Sequence, residues 1–254
     1  MREMKRKIRV LRYRMEMFLF PQKTKWFCPC CRMKVRSFVA GNYAKQTQRY
    51  DAARYAQTEQ NVLCPVCRSL PRHRILALWC DAHRDRLRGA KVLYFAPEKS
   101  MMLWMKRNGI SCTTADLNGK ADLKLDIQDT GLSNGAYDVV FCNHVLEHVD
   151  DFKAALKELY RIIRPGGSLI CSFPMDPKVE LLDEDPEVQM AEGRRERFGQ
   201  VDHQRVFGMK ADRLLEEAGF AVERIDGAEY PKEILPDVGP ADYDMNILFH
   251  CKKK

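Results

Sequence analysis

Tyr137-Asp138-Val139-Val140-Phe141-Cys142-Asn143-His144-Val145-Leu146-Glu147-His148-Val149-Asp150-Asp151 decides the fold, because an apolar strand, a polar loop and a helix start follow one another without a break. Val139, Val140 and Phe141 form the short apolar run of a strand buried on both faces, as in a parallel sheet. Ligands of open α/β sheets sit in the crevice at the carboxyl ends of such strands, so Asn143, His144, Glu147 and His148 are predicted to cluster at a site. Asp150 or Asp151 can cap the helix that follows, in which Phe152, Ala155, Leu156, Leu159, Tyr160 and Ile163 recur at helical spacing. Pro165-Gly166-Gly167 is predicted to end that helix, and residues 168–173 to form the next strand.

Working outward, residues 91–95 read as an opening strand and 98–107 as a helix closed by Asn108-Gly109. Residues 110–115 form a second strand ending at Asp116, and 123–125 a third ending at Asp126. Residues 175–208 are rich in Asp, Glu and Arg without a clean apolar period, which predicts a lid over a substrate and not core. Residues 209–218 return to helix with Gly219 as its stop, and 220–225 and 245–250 supply two last strands. The expectation is an α/β fold: a Rossmann-like, seven-stranded, mostly parallel sheet with flanking helices over residues 71–254, preceded by a small module.

That module carries Cys28-Pro29-Cys30-Cys31 and Cys64-Pro65-Val66-Cys67. Two Cys-x-x-Cys knuckles over residues 22–70 predict a zinc ribbon with Cys28, Cys31, Cys64 and Cys67 as the ligands of a closed, structural site. Disulfides are the competing reading, and Cys30 can replace Cys31. Cys112, Cys142 and Cys171 fall within or at the ends of apolar strands, which favours a reducing compartment.

The whole arrangement resembles the class I S-adenosylmethionine-dependent methyltransferases, type 11-like, in which an aspartate-initiated strand, a Leu-Glu-His-Val loop and a Pro-Gly-Gly turn before the fifth strand recur together. The resemblance covers roughly residues 89–251. It implies that Asp116, with Leu117 beside it, accepts the cofactor's ribose hydroxyls, that Asp126 and Ile127 meet the adenine, and that Asn143 and His144 complete the rim. The family's acidic, Gly-rich first turn is replaced by Phe95-Ala96-Pro97-Glu98-Lys99-Ser100. Glycine permits positive φ and close approach, so two readings stand: a variant pocket walled by Ala96, Pro97 and Glu98, or a pocket that no longer binds. Arg72 or Arg74, heading a helix expected to run to about residue 87, can hold the cofactor's carboxylate by a bidentate contact. The alternative is a solvated basic helix start.

Methyl transfer is an in-line displacement, so positioning in a dry pocket supplies much of the rate. A hydroxyl nucleophile still benefits from a base. His203, in Val201-Asp202-His203-Gln204-Arg205, is expected as base or substrate ligand, with Arg205 as an anion contact and His144 and His148 as further candidates. The His144-to-His148 segment also resembles the Glu-x-x-Glu-His of ubiquinone-pathway and small-RNA 2′-O-methyltransferases, with His144 in place of the first Glu. That resemblance implies a second divalent metal on His144, Glu147, His148 and His203, polarising a substrate hydroxyl; otherwise Glu147 and His148 bond backbone at a helix head.

Residues 1–88 carry 21 Lys+Arg against 6 Asp+Glu, a charge of +15, which leaves −7 for the rest of a chain whose total is +8. Residues 1–21 read as a basic amphipathic helix with Met4, Ile8, Leu11, Met15 and Phe18 on one face, suited to an anionic membrane surface, to a phosphate backbone, or to packing on its own domain. It is neither a membrane span nor a signal peptide. The expected location is cytoplasmic, peripheral at the inner membrane surface. The motif after the fourth strand lacks Asp-Pro-Pro-Tyr and Asn-Pro-Pro-Tyr, and no Pro-Cys nucleophile of the cytosine-carbon type appears, which argues against amino-directed and cytosine-carbon methylation of nucleic acid. The expected reaction is O-methylation of a polar small-molecule or glycan acceptor, such as a sugar or lipid-linked glycan. The alternatives are an RNA methyltransferase that binds through the basic zinc ribbon and a non-catalytic binding protein on a degenerate methyltransferase fold.

Overall fold

The computed structural model describes residues 2–40, 62–119, 121–236 and 246–254. Most of the polar segment between the two cysteine pairs, and Met245 of the expected last strand, lie outside the described residues. Helix α1 (Arg2–Leu19) leads to a hairpin of β1 (Trp26–Cys28) and β2 (Met33–Val35). Helices α2 (Pro71–Ala82) and α3 (Arg84–Arg88) precede β3 (Val92–Phe95), α4 (Lys99–Asn108), β4 (Thr113–Asp116), β5 (Leu123–Lys124), β6 (Tyr137–Asn143), α5 (Phe152–Ile162) and β7 (Ile163–Ser172). The chain continues through β8 (Met175–Asp176), β9 (Leu182–Glu184), α6 (Ala191–Phe198), β10 (Arg205–Gly208), α7 (Asp212–Glu217), β11 (Phe220–Asp226) and β12 (Ile247–Lys253).

Seven strands form one sheet in the order β5-β4-β3-β6-β7-β12-β11, parallel except for β12, which runs against both neighbours. From β3 the chain steps outward to β4 and β5, then returns to lay β6 on the other side of β3. That reversal opens a crevice at the carboxyl ends of β3 and β6, where ligands of doubly wound sheets bind. The parallel register sets Phe95 against Cys142, so Ala96 and Asn143 face the crevice together.

Local chemistry explains most boundaries. Asp151 caps α5, its carboxylate accepting from the backbone N–H of Lys153 at 3.0 Å and of Ala154 at 2.9 Å. Gly109 closes α4 in the left-handed region, at φ +67°. Three expectations are corrected. Pro165-Gly166-Gly167 does not end the helix: α5 stops at Ile162 and sheet pairing resumes at Ile163, with the three residues in an irregular stretch of β7. Gly167 is needed there because a Cβ would stand 2.6 Å from Ile163 Cγ2 and 2.8 Å from the Asp138 carbonyl oxygen. The helix expected to run to residue 87 breaks at His83 into α2 and α3.

The 175–208 segment is not free of core. It folds into a three-stranded sheet, β8-β10-β9, with α6, and it buries Met175, Phe198, Val206 and Phe207. Phe207 packs edge-on to Phe152, and Phe173 lies against it at 4.1 Å between ring centroids.

The main sheet has an apolar cluster on each face. One joins Phe152, Leu156 and Leu159 of α5 to Leu214 and Leu215 of α7. The other joins Ile75, Leu76 and Trp79 of α2 and Trp104 of α4 to Val139 and Phe141, and continues unbroken into Cys28, Cys31, Val35, Phe38, Cys64 and Val66. The cysteine knuckles therefore share a core with the back of the sheet.

Candidate functional site

The first strand's turn answers the loss of its glycines. Ala96 adopts φ +47°, the left-handed conformation that glycine takes more easily, and its N–H donates to Ala115 O at 2.8 Å, tying the turn to β4. A non-glycine residue held there costs of order 1 kcal/mol and persists only where its surroundings require it, typically at a ligand site. His144, just past β6, is held likewise at φ +53°, with its N–H on Ser172 O at 2.8 Å.

Glu98 caps this turn from inside. His73 Nδ1 accepts the N–H of Leu70 at 2.8 Å, which fixes the proton on Nε2, and Nε2 donates to Glu98 Oε1 at 2.5 Å. Arg72 Nε adds a contact at 3.3 Å and the Tyr94 hydroxyl another at 3.4 Å. Burial raises the Glu98 pKa, but the contacts from His73 and Arg72 outweigh it and hold the carboxyl at about 2 against an ordinary 4.5. A depressed carboxyl pKa stabilises the fold above the ordinary value and loses that contribution as pH falls through the folded value. Between pH 4.5 and 2 the protein is therefore expected to lose roughly 3 kcal/mol of stability through this group. Chemical denaturation of Glu98→Gln across that window should show the difference from wild type shrinking by that amount.

Arg72 thus reaches the turn, bound to the protein's own carboxylate. Arg74 does not. Its guanidinium lies 4.0 Å over the Phe38 ring and donates to the carbonyls of Ile234 (2.7 Å), Val62 (2.9 Å) and Ser69 (3.0 Å), so Arg74 ties the knuckles to α2.

Asp116, Asp126 and Asn143 lie at or just beyond the carboxyl ends of β4, β5 and β6. Asp116 accepts the Asn118 N–H at 2.7 Å, and Leu117 beside it is 61% exposed, an apolar side chain open at the rim. Asp126 is exposed and engaged by Gln128, through the backbone N–H at 2.9 Å and Nε2 at 3.1 Å; Ile127 is buried in the core. Pro97 follows Ala96 at the mouth of the turn, half-buried.

Beyond β6 the site holds polar groups that the protein leaves unanswered. Ser172 Oγ donates to Asn143 Oδ1 at 3.0 Å, leaving Asn143 Nδ2 buried with no hydrogen-bond partner among the described residues. His144 Nε2 and both Glu147 carboxylate oxygens are in the same condition, and Glu147 is 1% exposed. Native proteins rarely bury such atoms unpaired unless a water, an ion or a ligand completes them. His144 Nδ1 stands 3.3 Å from Glu147 Oε1 and His148 Nε2 3.9 Å from it. Burial pushes the Glu147 pKa up, but the neighbouring imidazoles of His144, His148 and His203 bring it below the ordinary value.

His203 is buried, and its Nδ1–H donates to Phe198 O at 3.0 Å, which leaves Nε2 as a lone-pair acceptor. Burial, opposed by Glu147, lowers its pKa and keeps the imidazole neutral at neutral pH. His148 is oriented in the same way, with Nδ1 on Asp202 O at 3.1 Å, and the two rings meet edge-to-face at 4.8 Å. Glu147, His148 and His203 each bring one donor atom within 4.8 Å of the others. His144 is not one of this set, which corrects the expected four-residue grouping. Arg205 is not an anion contact either. Its fully buried guanidinium donates to the carbonyls of Leu146 (2.9 Å), Val149 and Asp150 (2.8 Å) and to Glu184 Oε1 at 2.7 Å, clamping the loop that bears Glu147 and His148. Sequence reasoning gave Arg205 another role and passed over His73 and Tyr94, which stand in no recognisable motif.

At the other end, Cys28, Cys31, Cys64 and Cys67 bring their sulfurs within 4.8 Å of one another, with Cys28–Cys67 and Cys31–Cys64 each at 3.7 Å. Four sulfurs around a zinc at about 2.3 Å stand about 3.8 Å apart, whereas a disulfide needs about 2 Å. Both knuckles close identically: Arg32 N–H reaches Cys28 O at 2.7 Å with Arg32 at φ +57°, and Arg68 N–H reaches Cys64 O at 2.9 Å with Arg68 at φ +67°. Cys30 points away, its thiol donating to His73 O at 3.3 Å, so the open choice between Cys30 and Cys31 falls to Cys31.

Residues 88–171 match the family model of a methyltransferase domain. Among relatives, a 37.1 kDa protein in transposon TN4556 of Streptomyces fradiae is 34% identical over 100 residues, 39% of this chain and 29% of that protein. The malonyl-[acyl-carrier protein] O-methyltransferase of Hahella chejuensis is 40% identical over 47 residues, 18% of this chain and 17% of its own. The chain thus spans less than a third of the length of these relatives. Among solved structures, an S-adenosylmethionine-dependent methyltransferase from Mesorhizobium loti is 16% identical with a TM-score of 0.47, covering 68% of this chain and 96% of its own. The 1,6-didemethyltoxoflavin-N1-methyltransferase of Burkholderia thailandensis, with bound S-adenosylhomocysteine, is 15% identical with a TM-score of 0.46, covering 72% and 78%.

Proposed function

We propose that this chain is an S-adenosylmethionine-dependent methyltransferase that methylates an oxygen of a polar acceptor, a small molecule or glycan such as a sugar or a lipid-linked glycan. The observation that carries the reading is the buried, unanswered set of Asn143 Nδ2, His144 Nε2 and the Glu147 carboxylate, lying beside the unprotonated Nε2 of His203 at the sheet's switch point. The cofactor supplies an electrophilic methyl group when bound. Asp116 would accept the ribose hydroxyls, with Leu117 and the Ala96-Pro97-Glu98 turn walling the pocket and Asn143 at its floor. His203 Nε2 takes the proton of the acceptor hydroxyl while Phe198 O holds the ring's tautomer. His203→Gln is expected to lower kcat by about 10²-fold and leave cofactor affinity unchanged; single-turnover methyl transfer and calorimetry check the two halves.

The same trio supports a second reading, in which Glu147, His148 and His203 hold a divalent cation that polarises the acceptor hydroxyl. Two imidazoles with Nδ1 against backbone carbonyls and one buried carboxylate are a suitable donor set. We also propose that Cys28, Cys31, Cys64 and Cys67 bind one structural zinc. Metal analysis separates these sites: one zinc per chain that survives Glu147→Gln supports the knuckle site alone, and a second ion lost in that variant supports both. The +15 charge of residues 1–88 keeps an RNA acceptor as the competing substrate class. Incubating lysate with methyl-labelled cofactor and sorting the label among RNA, glycan or lipid, and protein pools tests the acceptor; label confined to RNA would overturn the preferred one.

A further inference from the structure

α1 is docked by one side only. Val10 and Tyr13 turn into the apolar cluster behind the sheet, and Glu16 reaches Arg36 of the hairpin at 3.8 Å. The opposite side carries Met4, Ile8, Leu11, Met15 and Phe18, which are 53% to 85% exposed. Monomeric soluble proteins seldom leave a row of large apolar side chains in water unless something covers it. The sequence spacing of the row is 4, 3, 4, 3, one continuous stripe along the helix, and the helix positions bordering it are Lys5 and Arg12 on one flank and Lys7 and Arg14 on the other.

That border decides the occupant. A stripe of this spacing is the seam of a coiled coil, but pairing with a second copy, parallel or antiparallel, would set lysine and arginine against lysine and arginine along both flanks, which is destabilising. A nucleic-acid backbone would answer the cations and leave the five apolar side chains unburied. A bilayer surface bearing anionic headgroups answers both, since an interfacial helix sinks its apolar face to the acyl boundary and keeps its basic flanks among the headgroups. Among the described residues no helix is long and apolar enough to cross a membrane, so the contact would be one of lying on the surface. We propose that α1 is a membrane-surface anchor that seats the protein on anionic lipid through Met4, Ile8, Leu11, Met15 and Phe18. The anchor is independent of the methyl-transfer reading and stands or falls separately from it.

The test is flotation of the full chain with vesicles of phosphatidylcholine alone and of phosphatidylcholine with phosphatidylglycerol. The expected result is partition into the anionic vesicles, reduced by salt and slight in the neutral ones. Leu11→Gln with Phe18→Gln should lower that partition at least about tenfold, and Lys7→Gln or Arg14→Gln about fivefold each. All four positions are exposed, and unchanged thermal unfolding of the variants reports that the fold is intact. Three results would overturn the proposal: no partition into anionic vesicles, partition that the Leu11 and Phe18 changes do not alter, or a dimer by light scattering that those changes dissolve. RNA retained with steep salt dependence while vesicles are ignored would assign the helix to nucleic acid instead.

Discussion

Replacing Cys64 with serine is expected to remove the zinc proposed for the knuckles and to unfold far more than them. Structural zinc contributes on the order of 10 kcal/mol or more to domains of this kind, against a whole-domain stability of about 5–15 kcal/mol. The knuckle residues share one apolar cluster with α2, α4 and the back of the sheet, so the loss is transmitted to the elements behind the crevice. Arg107 donates to Cys31 O, and Arg74 bridges Val62 and Ser69 to Ile234, so two cationic side chains also lose their anchors. Elemental analysis and thermal unfolding monitored at Trp79 and Trp104, both buried in that cluster, would record zinc loss together with a collapsed transition. Cys30→Ser is the control: Cys30 donates to the His73 carbonyl and lies outside the four-sulfur group, so it should keep the metal. A folded Cys64→Ser protein that retains zinc would end the assignment.

Arg205→Met is expected to destabilise the protein by about 3–5 kcal/mol and to abolish ordered presentation of Glu147 and His148. A buried charge removed from its partners leaves those partners desolvated and unpaired, which is the costly case. Here the costly partners are three carbonyls of one loop, Leu146, Val149 and Asp150, whereas the Glu184 carboxylate of β9 is exposed and returns to water. Methionine fills the space over Phe152 but answers none of them. Denaturant titration should show the stability loss, and amide exchange should be fastest over residues 145–151 and 182–184. An unchanged midpoint would mean that the loop is held from elsewhere.

The centre of the sheet was legible because Val92–Phe95 and residues 139–142 are apolar runs, and the caps at Asp151 and Gly109 are written in single residues. The four cysteines that cluster were legible from spacing alone. What escaped the sequence shares a physical cause, namely that tertiary contact redefines a residue's role. Ala96 does the work of a glycine because a hydrogen bond to Ala115 holds its φ positive, which no local pattern announces. Arg74 and Arg205 read as anion contacts because arginine usually faces water, yet both are buried and answered by backbone carbonyls. The 175–208 segment looked coreless because Met175, Phe198, Val206 and Phe207 are far apart in a charged stretch and meet only on the sheet that they build. Within the candidate site, the spacing of Glu147 and His148 placed them together, whereas the selection of His203 over His144 as their companion depended on the return of the insertion.

The most direct measurement is calorimetric titration of the full chain with S-adenosylhomocysteine, in wild type and in Asp116→Ala. The account predicts one saturable site in the wild type and an affinity at least about tenfold weaker in the variant, the loss expected when a charged acceptor of two hydroxyls is removed. No heat of binding in the wild type, or an affinity indifferent to Asp116, would contradict a cofactor pocket at the carboxyl ends of β3, β4 and β6.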